Sequence, residues 1–522
     1  MARRLSGEET RGALVLVGFM GAGKSSSARD LGAALDVRPL DSDLMLEQQL
    51  GHSIAEEFQR SGEQGFRVQE ERLVCELLER AGPGDVVALG GGSVLSPRVR
   101  AALTEHLVVY LDVDLDAAWE RASGRNRPLA TDRDEFARRF AERRGVYLGV
   151  ADAVIVHTSR GAAVRALSDL DRLRHTPAGT RLLWATSDSG EYPVLIGRGT
   201  LGAGVWPGAG GRRRFCVTDS AVRDLYAESL GEVAGVLAIT PGEEHKTLES
   251  ARGVWSALVA GGITRADELV ALGGGVVGDL TGFCAATYQR GMAVVHVPTT
   301  VVAQVDSAYG GKTGVDLPEA KNYVGSYHQP AGVLVDPGTL ATLPRAECAA
   351  GWVEVLKTAL IAGGELWNRV TAGDPLDEEI IFACAHTKLA IVAEDERDAG
   401  RRQVLNLGHT VGHAIETATG YRRYRHGEAV GLGLLAALRL SSRPELREQV
   451  HGLLKDQGLP TRIQGTDAES IVEAVRRDKK RTGDRVPFVL VDGPGAVSPG
   501  VDVADDELSA AVAELTAPPT EG

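Results

Sequence analysis

The chain has 522 residues, of which 43% are hydrophobic and 25% are charged, so a largely disordered protein is excluded. The formal net charge of −14 argues against a nonspecific nucleic-acid binder, which needs a basic surface. A chain of this length exceeds one ordinary hydrophobic core, and roughly two to four domains are expected.

The composition also predicts where the protein works. No apolar run is long enough for a transmembrane helix, and the polar first ten residues do not fit a secretory signal. The five cysteines are scattered and none forms a C-x-x-C pair, which favours reduced thiols over disulfides or a thiolate metal site. We therefore expect a cytoplasmic protein that binds neither membranes nor nucleic acid.

Strand-like and helix-like stretches alternate over the first 160 residues, which predicts βαβ units and a parallel sheet. The predicted strands are Leu14–Val17, Val86–Leu89, Leu107–Leu111 and Val154–Val156, and the predicted helices are Ser25–Leu35 and Phe66–Glu79. A helical stretch then extends to about residue 174. The polar segment 175–180 contains Pro and Gly and is the predicted linker, so the first domain covers residues 1–174.

The first predicted strand leads into a glycine-rich turn that fits the phosphate-binding pattern G-x4-G-K-[ST] over residues 18–25. Backbone N–H groups of such a turn point at phosphate oxygens, and so does the N-terminus of the next helix. Lys24 is placed to reach the β- and γ-phosphates, and Ser25 to ligate Mg²⁺. Asp41 and Asp43 follow, where one carboxylate can assist Mg²⁺ and the other can accept a proton. On its own, this acidic pair is more typical of a solvated turn.

Further motifs follow the phosphate loop in a fixed order: Phe66-Arg67, Gly90–Gly92, Arg127–Leu129, and Arg143 before Tyr147. The series resembles shikimate kinase over about residues 11–172. The resemblance implies that shikimate is bound by Asp43, Arg67, Gly91, Gly92 and Arg143. It implies that ATP is bound by Gly21, Ala22, Gly23, Lys24, Ser25, Ser26 and Arg127, and Mg²⁺ by Ser25 and Asp41. Lys24, Asp43 and Arg127 would be catalytic, with Arg127 on a mobile lid.

Strand patterning resumes after the linker, at Leu182–Trp184 and Tyr192–Ile196, and predicts a second domain over residues 181–522. Its part 181–345 is expected to be α/β, and its part 346–516 mainly helical. The predicted strand Glu268–Leu272 leads into Gly273–Asp279, which matches the G-x-G-x-x-G pattern of dinucleotide-binding turns. No acidic residue occupies the usual ribose position, so a tight turn and a pyrophosphate site both remain open.

Three histidines lie within eighteen residues of the helical part. His409 and His413 are four residues apart and share one helix face, and His426 and Glu428 follow. Two histidines and a carboxylate with an open position make a catalytic Zn²⁺ site. Basic residues are also concentrated in this half and, in one cleft, would bind a phosphorylated, carboxylated substrate. These residues are Lys312, Lys321, Lys357, Lys388, Arg402, Lys479 and Lys480.

An ordered series of motifs resembles 3-dehydroquinate synthase over about residues 181–515. The motifs are Pro241–Lys246, Gly273–Asp279, Val297–Thr300, Gly310–Thr313, Lys321-Asn322, Glu354–Lys357, Asn406–His413 and His426–Glu428. The resemblance implies that Zn²⁺ or Co²⁺ is bound by Glu354, His409 and His426, which removes Glu428 as a ligand. NAD would be held by Asp219, Glu243, Lys246, Gly274, Gly275, Val276, Asp279, Thr299, Thr300, Lys321 and Thr342. The catalytic residues would be Asp306, Lys312, Lys357, Lys388 and His413. Further substrate contacts would be Asn322, Arg402, Asn406 and, from a neighbouring subunit of a homodimer, Arg290.

The expected fold is therefore α/β, with a P-loop kinase domain followed by a dehydroquinate synthase-like domain. The two resemblances imply a bifunctional enzyme of the shikimate pathway. One activity phosphorylates shikimate with ATP, and the other converts 3-deoxy-D-arabino-heptulosonate 7-phosphate to 3-dehydroquinate with phosphate release. One alternative for the second half is a metal-dependent polyol or alcohol dehydrogenase. Another is that one half is a degenerate binding or scaffold module.

Overall fold

The structure, a computed structural model, describes residues 12–123, 129–208, 210–482 and 487–516. The chain divides into two compact units, residues 1–210 and 211–522, which are described one at a time. No helix among the described residues combines the length and the apolar character needed to cross a bilayer.

The first unit is built on one sheet with helices packed against it. Its strands are β1 Leu14–Val17, β2 Leu40–Asp41, β3 Val86–Ala88, β4 Leu107–Leu111, β5 Ala153–Ile155, β6 Arg181–Ser187 and β7 Gly190–Ile196. Its helices are α1 Lys24–Leu35, α2 Ser42–Leu50, α3 Ile54–Arg80, α4 Pro97–Leu103, α5 Leu115–Ala122, α6 Arg133–Val150, α7 Ala162–Arg165 and α8 Leu167–Leu173.

These strands lie in the order β2-β3-β1-β4-β5-β6-β7. All pairs from β2 to β6 are parallel, and β6 and β7 form an antiparallel hairpin. The four residues of β1 are all buried apolar side chains, as expected of a strand covered by helices on both faces. The parallel sheet confirms the predicted fold class, and the bounds of β1 and β4 are those predicted.

The division between the units differs from the predicted linker at residues 175–180. β6 follows that segment, yet it pairs in parallel with β5 of the first unit. Glu191 of β7 reinforces this arrangement, because it accepts hydrogen bonds from Arg165 of α7 (2.6 Å) and from the Trp184 indole (3.0 Å). The hairpin that the sequence assigned to the second domain thus belongs to the first compact unit, which ends at Gly210.

The second unit begins with an α/β part. Its strands are β8 Arg214–Asp219, β9 Val236–Ile239, β10 Glu268–Gly273, β11 Ala293–Pro298, β12 Lys312–Leu317, β13 Ala320–Tyr327 and β14 Gly332–Val335, and its helices α9 Ser220–Tyr226, α10 Leu248–Ala260 and α11 Gly275–Thr287. Parallel pairing gives the order β14-β11-β10-β8-β9, and β12 and β13 form a separate antiparallel hairpin. Apolar side chains of β8, α10 and α11 pack into one buried cluster.

From Arg345 onward the second unit is mainly helical, as predicted. The elements are α12 Arg345–Ala362, α13 Gly364–Thr371, α14 Glu378–Glu394, α15 His409–Ala418, α16 His426–Leu440, α17 Pro444–Asp456, α18 Ala468–Thr482, β15 Phe488–Gly493, β16 Ala496–Val501 and α19 Asp505–Thr516. Glycines let α15 and α16 approach closely: a Cβ on Gly412 would lie 3.2 Å from the carbonyl oxygen of Ala429. This approach brings the first residues of both helices, which are histidines, near each other.

Candidate active sites

The first unit contains a cleft of about 1050 Å³. It is lined by the loops that follow β1, β2 and β3, at the carboxyl ends of parallel strands, where α/β folds bind ligands. The predicted kinase residues that line it are Gly21, Ala22, Gly23, Lys24, Ser25, Ser26, Asp41, Asp43, Arg67, Gly91, Gly92 and Arg143. Arg127 lies outside the described residues. Arg121 and residues 158–161 also line the cleft, and no local pattern distinguishes them from ordinary surface residues.

The phosphate loop has a tightly curled backbone that requires glycine. Gly21 and Gly23 have φ angles of 83° and 90°, and a Cβ on Gly21 would overlap the carbonyl group of Ala118. Lys24 begins α1, and its Nζ donates hydrogen bonds to the carbonyl oxygens of Gly18 (2.8 Å) and Phe19 (3.1 Å). The ammonium group is therefore held over the loop, at the place where a phosphate would bind.

Asp41 and Asp43 lie at the start of α2. Asp41 caps this helix, because its Oδ1 accepts hydrogen bonds from the N–H groups of Asp43 (3.0 Å) and Leu44 (3.3 Å). Asp43 faces the glycine turn after β3, since a Cβ on Gly90 would lie 2.5 Å from its Oδ1. The structure thus places both carboxylates at the cleft, where the sequence left a solvated turn as the alternative.

Arg67 is held by acidic partners on its own helix. Its Nη1 lies 2.5 Å from Glu70 and its Nη2 lies 3.2 Å from Glu63. Glu70 is buried and also accepts a hydrogen bond from Ser93 (2.9 Å). Burial by itself lowers the pKa of Arg67, but the charges of Glu70 and Glu63 raise it above its usual value. Glu70 was not predicted, although its position three residues after Arg67 is a usable signal.

Arg143 of α6 lines the cleft, and Tyr147 follows it by about one helical turn. Arg143 is buried, with its guanidinium carbon 5.9 Å from the centre of the Phe19 ring. The Tyr147 hydroxyl donates a hydrogen bond to the carbonyl oxygen of Gly91, and burial raises the pKa of Tyr147 to about 12. The neutral phenol therefore anchors the glycine turn against α6.

In the second unit, side chains from three helices meet at one point. Glu354 of α12 is completely buried, and the Nε2 atoms of His409 and His426 lie 3.8 and 3.6 Å from its Oε1. One ligand atom from each of the three residues lies within 4.8 Å of the others. Oε1 of Glu354 accepts no hydrogen bond from any described residue, which fits a carboxylate oxygen intended for a cation. Two imidazoles and one carboxylate are the donor set of a catalytic zinc site.

Outer partners orient both imidazoles. His409 Nδ1 lies 3.2 Å from the carbonyl oxygen of Leu407, and His426 Nδ1 lies 3.5 Å from Oε2 of Glu416. Because each partner contacts Nδ1, the Nε2 atom of each ring faces Glu354. The same arrangement occurs in metal sites where the ring nitrogen that does not bind the metal is held by a carbonyl or a carboxylate. Burial lowers the pKa of His409 well below its usual value. Burial also acts to lower the pKa of His426, but Glu416 and Glu354 raise it.

The other candidates from histidine spacing have different positions. His413 lies one turn after His409, with ring centres 5.3 Å apart, and it is exposed. Glu428 pairs with Arg425 (3.2 Å) and caps α16, so it does not join the cluster. The ligand set implied by the resemblance, rather than the set favoured by spacing alone, is the one that converges.

Two buried lysines adjoin this cluster and share Asp306, which lies in a π-helical turn. Lys357 Nζ is 2.5 Å from Oε2 of Glu354 and 3.3 Å from Oδ2 of Asp306. Lys388 contacts Oδ1 of Asp306 and donates to its carbonyl oxygen (2.7 Å). Burial acts to raise the pKa of Asp306, but the two lysines hold it far below its usual value; burial lowers the pKa of Lys388. The structure thus brings three predicted catalytic residues beside the candidate metal ligands.

A second charged cluster surrounds Lys246, which is 3% exposed. Its Nζ lies 2.8 Å from Asn322 Oδ1, 2.8 Å from Glu243 Oε1 and 3.3 Å from Asp279 Oδ2. Burial acts to lower the pKa of Lys246, but the surrounding carboxylates raise it; burial raises the pKa of Asp279 to about 6. Four residues that the resemblance assigned to NAD or substrate therefore form one cluster.

The glycine turn of the predicted dinucleotide site joins β10 to α11, as expected. A Cβ on Gly274 would lie 2.9 Å from Thr300, and a Cβ on Gly275 would lie 3.2 Å from Ser307. Thr299 is buried and its N–H donates to the carbonyl oxygen of Gly273 (3.0 Å), while its hydroxyl has no hydrogen-bond partner among the described residues. The N-terminus of α11 begins at this turn, and a helix N-terminus is a favourable position for an anion.

Arg402 and Lys312 are engaged in the structure. The guanidinium of Arg402 is buried and donates to the carbonyl oxygens of Glu396 (2.5 Å) and Gly310 (2.9 Å). Lys312 pairs with Asp398 and is half exposed. Both residues thus have protein partners that a substrate would have to replace, and their substrate contacts stay predictions.

The remaining predicted residues lie further out. Asp219 caps α9, and the Thr342 hydroxyl lies 2.7 Å from that of Tyr226. Arg290 is exposed, with φ of 70°, on the short turn after α11. The side chains of residues 479 and 480 lie outside the described part of the chain. None of these positions forms a cluster with the candidate metal ligands within the described residues.

The two units define two classes of catalytic module. The first has a cleft with a phosphate loop, as phosphotransferases have, and the second has a cluster of candidate metal ligands beside buried lysines. A family model described as shikimate kinase matches residues 20–171. Models described as 3-dehydroquinate synthase N-terminal and C-terminal match residues 236–350 and 351–481. The chain belongs to the 3-dehydroquinate synthase family, and its first part belongs to the shikimate kinase family.

Curated relatives agree with these matches. The 3-dehydroquinate synthase of Halorhodospira halophila is 42% identical over 332 residues, which cover 60% of this chain and 94% of the relative. That of Streptococcus sanguinis is 42% identical over 329 residues, or 59% of this chain and 93% of the relative. The chain is therefore a bifunctional enzyme of the shikimate pathway with kinase and lyase parts, which confirms the predicted recognition and enzyme class.

Solved structures of two other synthases are similar to part of this chain. One is 2-deoxy-scyllo-inosose synthase complexed with carbaglucose-6-phosphate, NAD⁺ and Co²⁺, with a TM-score of 0.57 and 26% identity over 64% of this chain and 99% of that one. The other is 2-epi-5-epi-valiolone synthase from Streptomyces hygroscopicus subsp. jinggangensis 5008 with NAD⁺ and Zn²⁺ bound. It has a TM-score of 0.54 and 27% identity over 58% of this chain and 91% of that one.

Proposed function

We propose that the first unit phosphorylates shikimate with ATP, and that the second converts 3-deoxy-D-arabino-heptulosonate 7-phosphate to 3-dehydroquinate with NAD and Zn²⁺ or Co²⁺. The observation that supports the first activity is one cleft that contains a phosphate loop together with Arg67 and Arg143. The observation that supports the second is the convergence of Glu354, His409 and His426 beside buried lysines.

In the kinase cleft, the loop N–H groups and Lys24 would hold the ATP phosphates, and Lys24 would exchange its carbonyl partners for phosphate oxygens. Mg²⁺, held by Ser25 and Asp41, would neutralise phosphate charge. Asp43 would accept the proton of the attacking hydroxyl group. Arg67 and Arg143 would bind the shikimate carboxylate, because guanidinium groups match carboxylates in paired hydrogen bonds.

In the synthase site, a divalent ion at the cluster would supply Lewis-acid chemistry, and NAD would supply a hydride acceptor that is regenerated in each turnover. The protein residues orient the substrate and balance its charge. Lys357 and Lys388 would bind phosphate or carboxylate oxygens, and Asp306 keeps both ammonium groups in place. His413 is exposed beside His409 and would contact the substrate.

Two alanine variants test whether each activity belongs to one unit. Lys24→Ala should abolish ATP-dependent phosphorylation of shikimate and leave phosphate release from the heptulosonate unchanged, because Lys24 lies only in the kinase cleft. His409→Ala should have the opposite effect, because it removes a metal ligand. Both rates are measured on the same preparation, with the exposed Lys455→Ala as the matched control. Loss of both activities in a folded single variant would contradict the proposal.

The alternative for the second unit, an alcohol or polyol dehydrogenase, makes a different prediction. Such an enzyme would accumulate NADH, whereas the synthase returns the hydride and releases phosphate. The buried ammonium groups of Lys357 and Lys388 favour a substrate with anionic groups. Simultaneous recording of NADH absorbance and released phosphate separates the two: phosphate without net NADH supports the synthase, and NADH without phosphate supports the dehydrogenase.

We further propose a cytoplasmic homodimer in which Arg290 reaches the substrate of the partner subunit. The free, mostly buried cysteines support a reducing compartment, and the exposed position of Arg290 supports its role between subunits. Arg290→Ala and His409→Ala chains, each inactive alone, should recover about a quarter of the synthase activity when coexpressed, since half of random dimers contain one complete site. Absence of recovery in a mixed dimer would contradict this arrangement.

A further inference from the structure

Glu416 lies between the candidate metal cluster and the charged cluster around Lys246. Its side chain is 5% exposed, and its two oxygens have different partners. Oε2 lies 3.5 Å from Nδ1 of His426, and Oε1 lies 3.5 Å from Nζ of Lys321. The two clusters, which were described separately above, are therefore joined by one buried carboxylate.

The contacts of Lys321 extend this connection. Its Nζ lies 4.3 Å from the centre of the Tyr421 ring and 4.0 Å from Oε1 of Glu243. Glu243 in turn contacts Lys246 at 2.8 Å. A continuous series of charged contacts thus leads from a candidate metal ligand to the residues expected to hold the dinucleotide.

The helix α15 connects several of these groups through one element. His409 and Glu416 lie seven residues apart, which is two turns, so they share one face of the helix. Tyr421 follows shortly after the helix end, and its N–H donates to the carbonyl oxygen of Glu416 (2.8 Å). One helix therefore carries a candidate metal ligand, the carboxylate behind a second ligand, and the contacts that hold Lys321.

We propose that Glu416 is a positioning residue that couples metal binding to NAD binding, an inference that rests on the proposed function. A carboxylate behind a histidine fixes the ring orientation and raises its basicity as a ligand. If Nε2 of His426 held a divalent cation, Nδ1 would interact more strongly with Glu416, and the carboxylate and Lys321 would be held in place before the dinucleotide binds. The dinucleotide then loses less freedom on binding, which favours its association.

Thermodynamic linkage makes this proposal measurable without turnover. If Zn²⁺ strengthens NAD binding by some factor, NAD strengthens Zn²⁺ binding by the same factor, and typical coupling factors are about 5- to 150-fold. The test variant is Glu416→Gln, which keeps the shape of the side chain and removes its charge. The matched control is Glu428→Gln, which changes a glutamate two residues from His426 that pairs with Arg425 instead.

The experiment measures the Kd of Zn²⁺ by competition with a chelating dye, and the Kd of NAD by calorimetry with and without Zn²⁺. We expect Glu416→Gln to weaken Zn²⁺ binding about 10- to 100-fold. We also expect it to reduce the effect of Zn²⁺ on the Kd of NAD from at least about fivefold to below about twofold. Glu428→Gln should match the wild-type enzyme in both. The absorption spectrum of bound Co²⁺ should change only in Glu416→Gln, because the His426 ring is reoriented.

Each result has one meaning. Wild-type protein that does not bind Zn²⁺ refutes the proposed function itself. Wild-type protein that binds Zn²⁺, with Glu416→Gln equal to it in coupling, refutes the role of Glu416 alone. Binding of two Zn²⁺ ions per wild-type chain and one per Glu416→Gln chain makes Glu416 a ligand, as its proximity to His413 and His426 allows, and also overturns the proposal. If Glu416→Gln does not fold, Glu416→Asp is measured against the same criteria. This variant keeps the charge but places it one methylene further from its partners.

Discussion

Replacement of Asp306 by asparagine tests what holds the buried lysines of the synthase site. The carboxylate lies 3.3 Å from Nζ of Lys357, which is 1% exposed, and it also contacts Lys388. At an effective dielectric constant of about 20, unit charges at this separation attract by about 5 kcal/mol, part of which desolvation offsets. Removal of one partner of a buried pair costs about 3 to 5 kcal/mol. Because Lys357 keeps Glu354 as a partner, we expect Asp306→Asn to lower the free energy of unfolding by about 3 kcal/mol at neutral pH.

The pH dependence of this loss has a definite sign. Burial already holds the pKa of Lys388 below its usual 10.5, and removal of Asp306 lowers it further. Between the folded pKa of Lys388 and 10.5, the unfolded chain binds more protons than the folded one, so stability rises with pH. This rise begins at lower pH in the variant, in which Lys388 loses its proton earlier. The difference in stability between the two proteins should therefore narrow as the pH increases toward 10.5.

Urea unfolding followed by circular dichroism measures both effects. The matched control is Asp398→Asn, which removes the partner of Lys312, a lysine that is 48% exposed. For this more exposed pair we expect a loss of at most about 1 kcal/mol. A loss below about 1 kcal/mol for Asp306→Asn, or a difference that widens as the pH rises, would refute the reasoning.

Three further predictions concern packing and metal content. The methyl group of Gly92→Ala would overlap the guanidinium of Arg67. In steady-state kinetics, the KM for shikimate should therefore rise at least about tenfold while the KM for ATP is unchanged. Equal increases in both KM values would contradict this prediction. The methyl group of Gly427→Ala would overlap the carbonyl of Ala350 and displace the helix that begins with His426. The affinity for Zn²⁺, measured by competition with a chelator, should therefore fall at least about tenfold. Gly452→Ala, whose methyl group would lie in open space, should leave the affinity unchanged. Removal of Zn²⁺ by a chelator should lower the stability of the second unit by about 2.7 kcal/mol relative to a hundredfold excess of metal over Kd. If the calorimetric unfolding temperature is the same with and without the chelator, the metal does not contribute to stability.

Local signals in the sequence predicted the local parts of the fold. The apolar strand, glycine turn and helix around Lys24 are adjacent in the chain, so their pattern suffices to place a phosphate loop. The spacing of His409 and His413 correctly placed both on one helix. Spacing did not identify Glu354, because its position beside His409 depends on the packing of two helices. That residue came from the family resemblance.

Features that depend on distant contacts were not predicted. Glu416 contacts His426 and Lys321, and nothing in its local sequence distinguishes it from a surface glutamate. Glu70 has only the signal of its position three residues after Arg67. The first compact unit also extends past the predicted linker. A polar segment with Pro and Gly usually ends a domain, but the sheet of the first unit continues past it through the pairing of β5 with β6. Strand pairing across a linker leaves no periodic signal in the chain.

Every described residue of the kinase cleft belongs to the first unit, and every residue of the metal and lysine clusters belongs to the second. One translation event therefore yields one copy of each catalyst, in a ratio that transcription cannot change. Under the proposed activities, the ratio of the two enzyme concentrations is then fixed, and the relative flux depends on rate constants, substrate concentrations and inhibitors. In a fused chain, selection for balanced flux would act on the rate constants of the two sites. With two separate genes, it could also act on the expression of each enzyme.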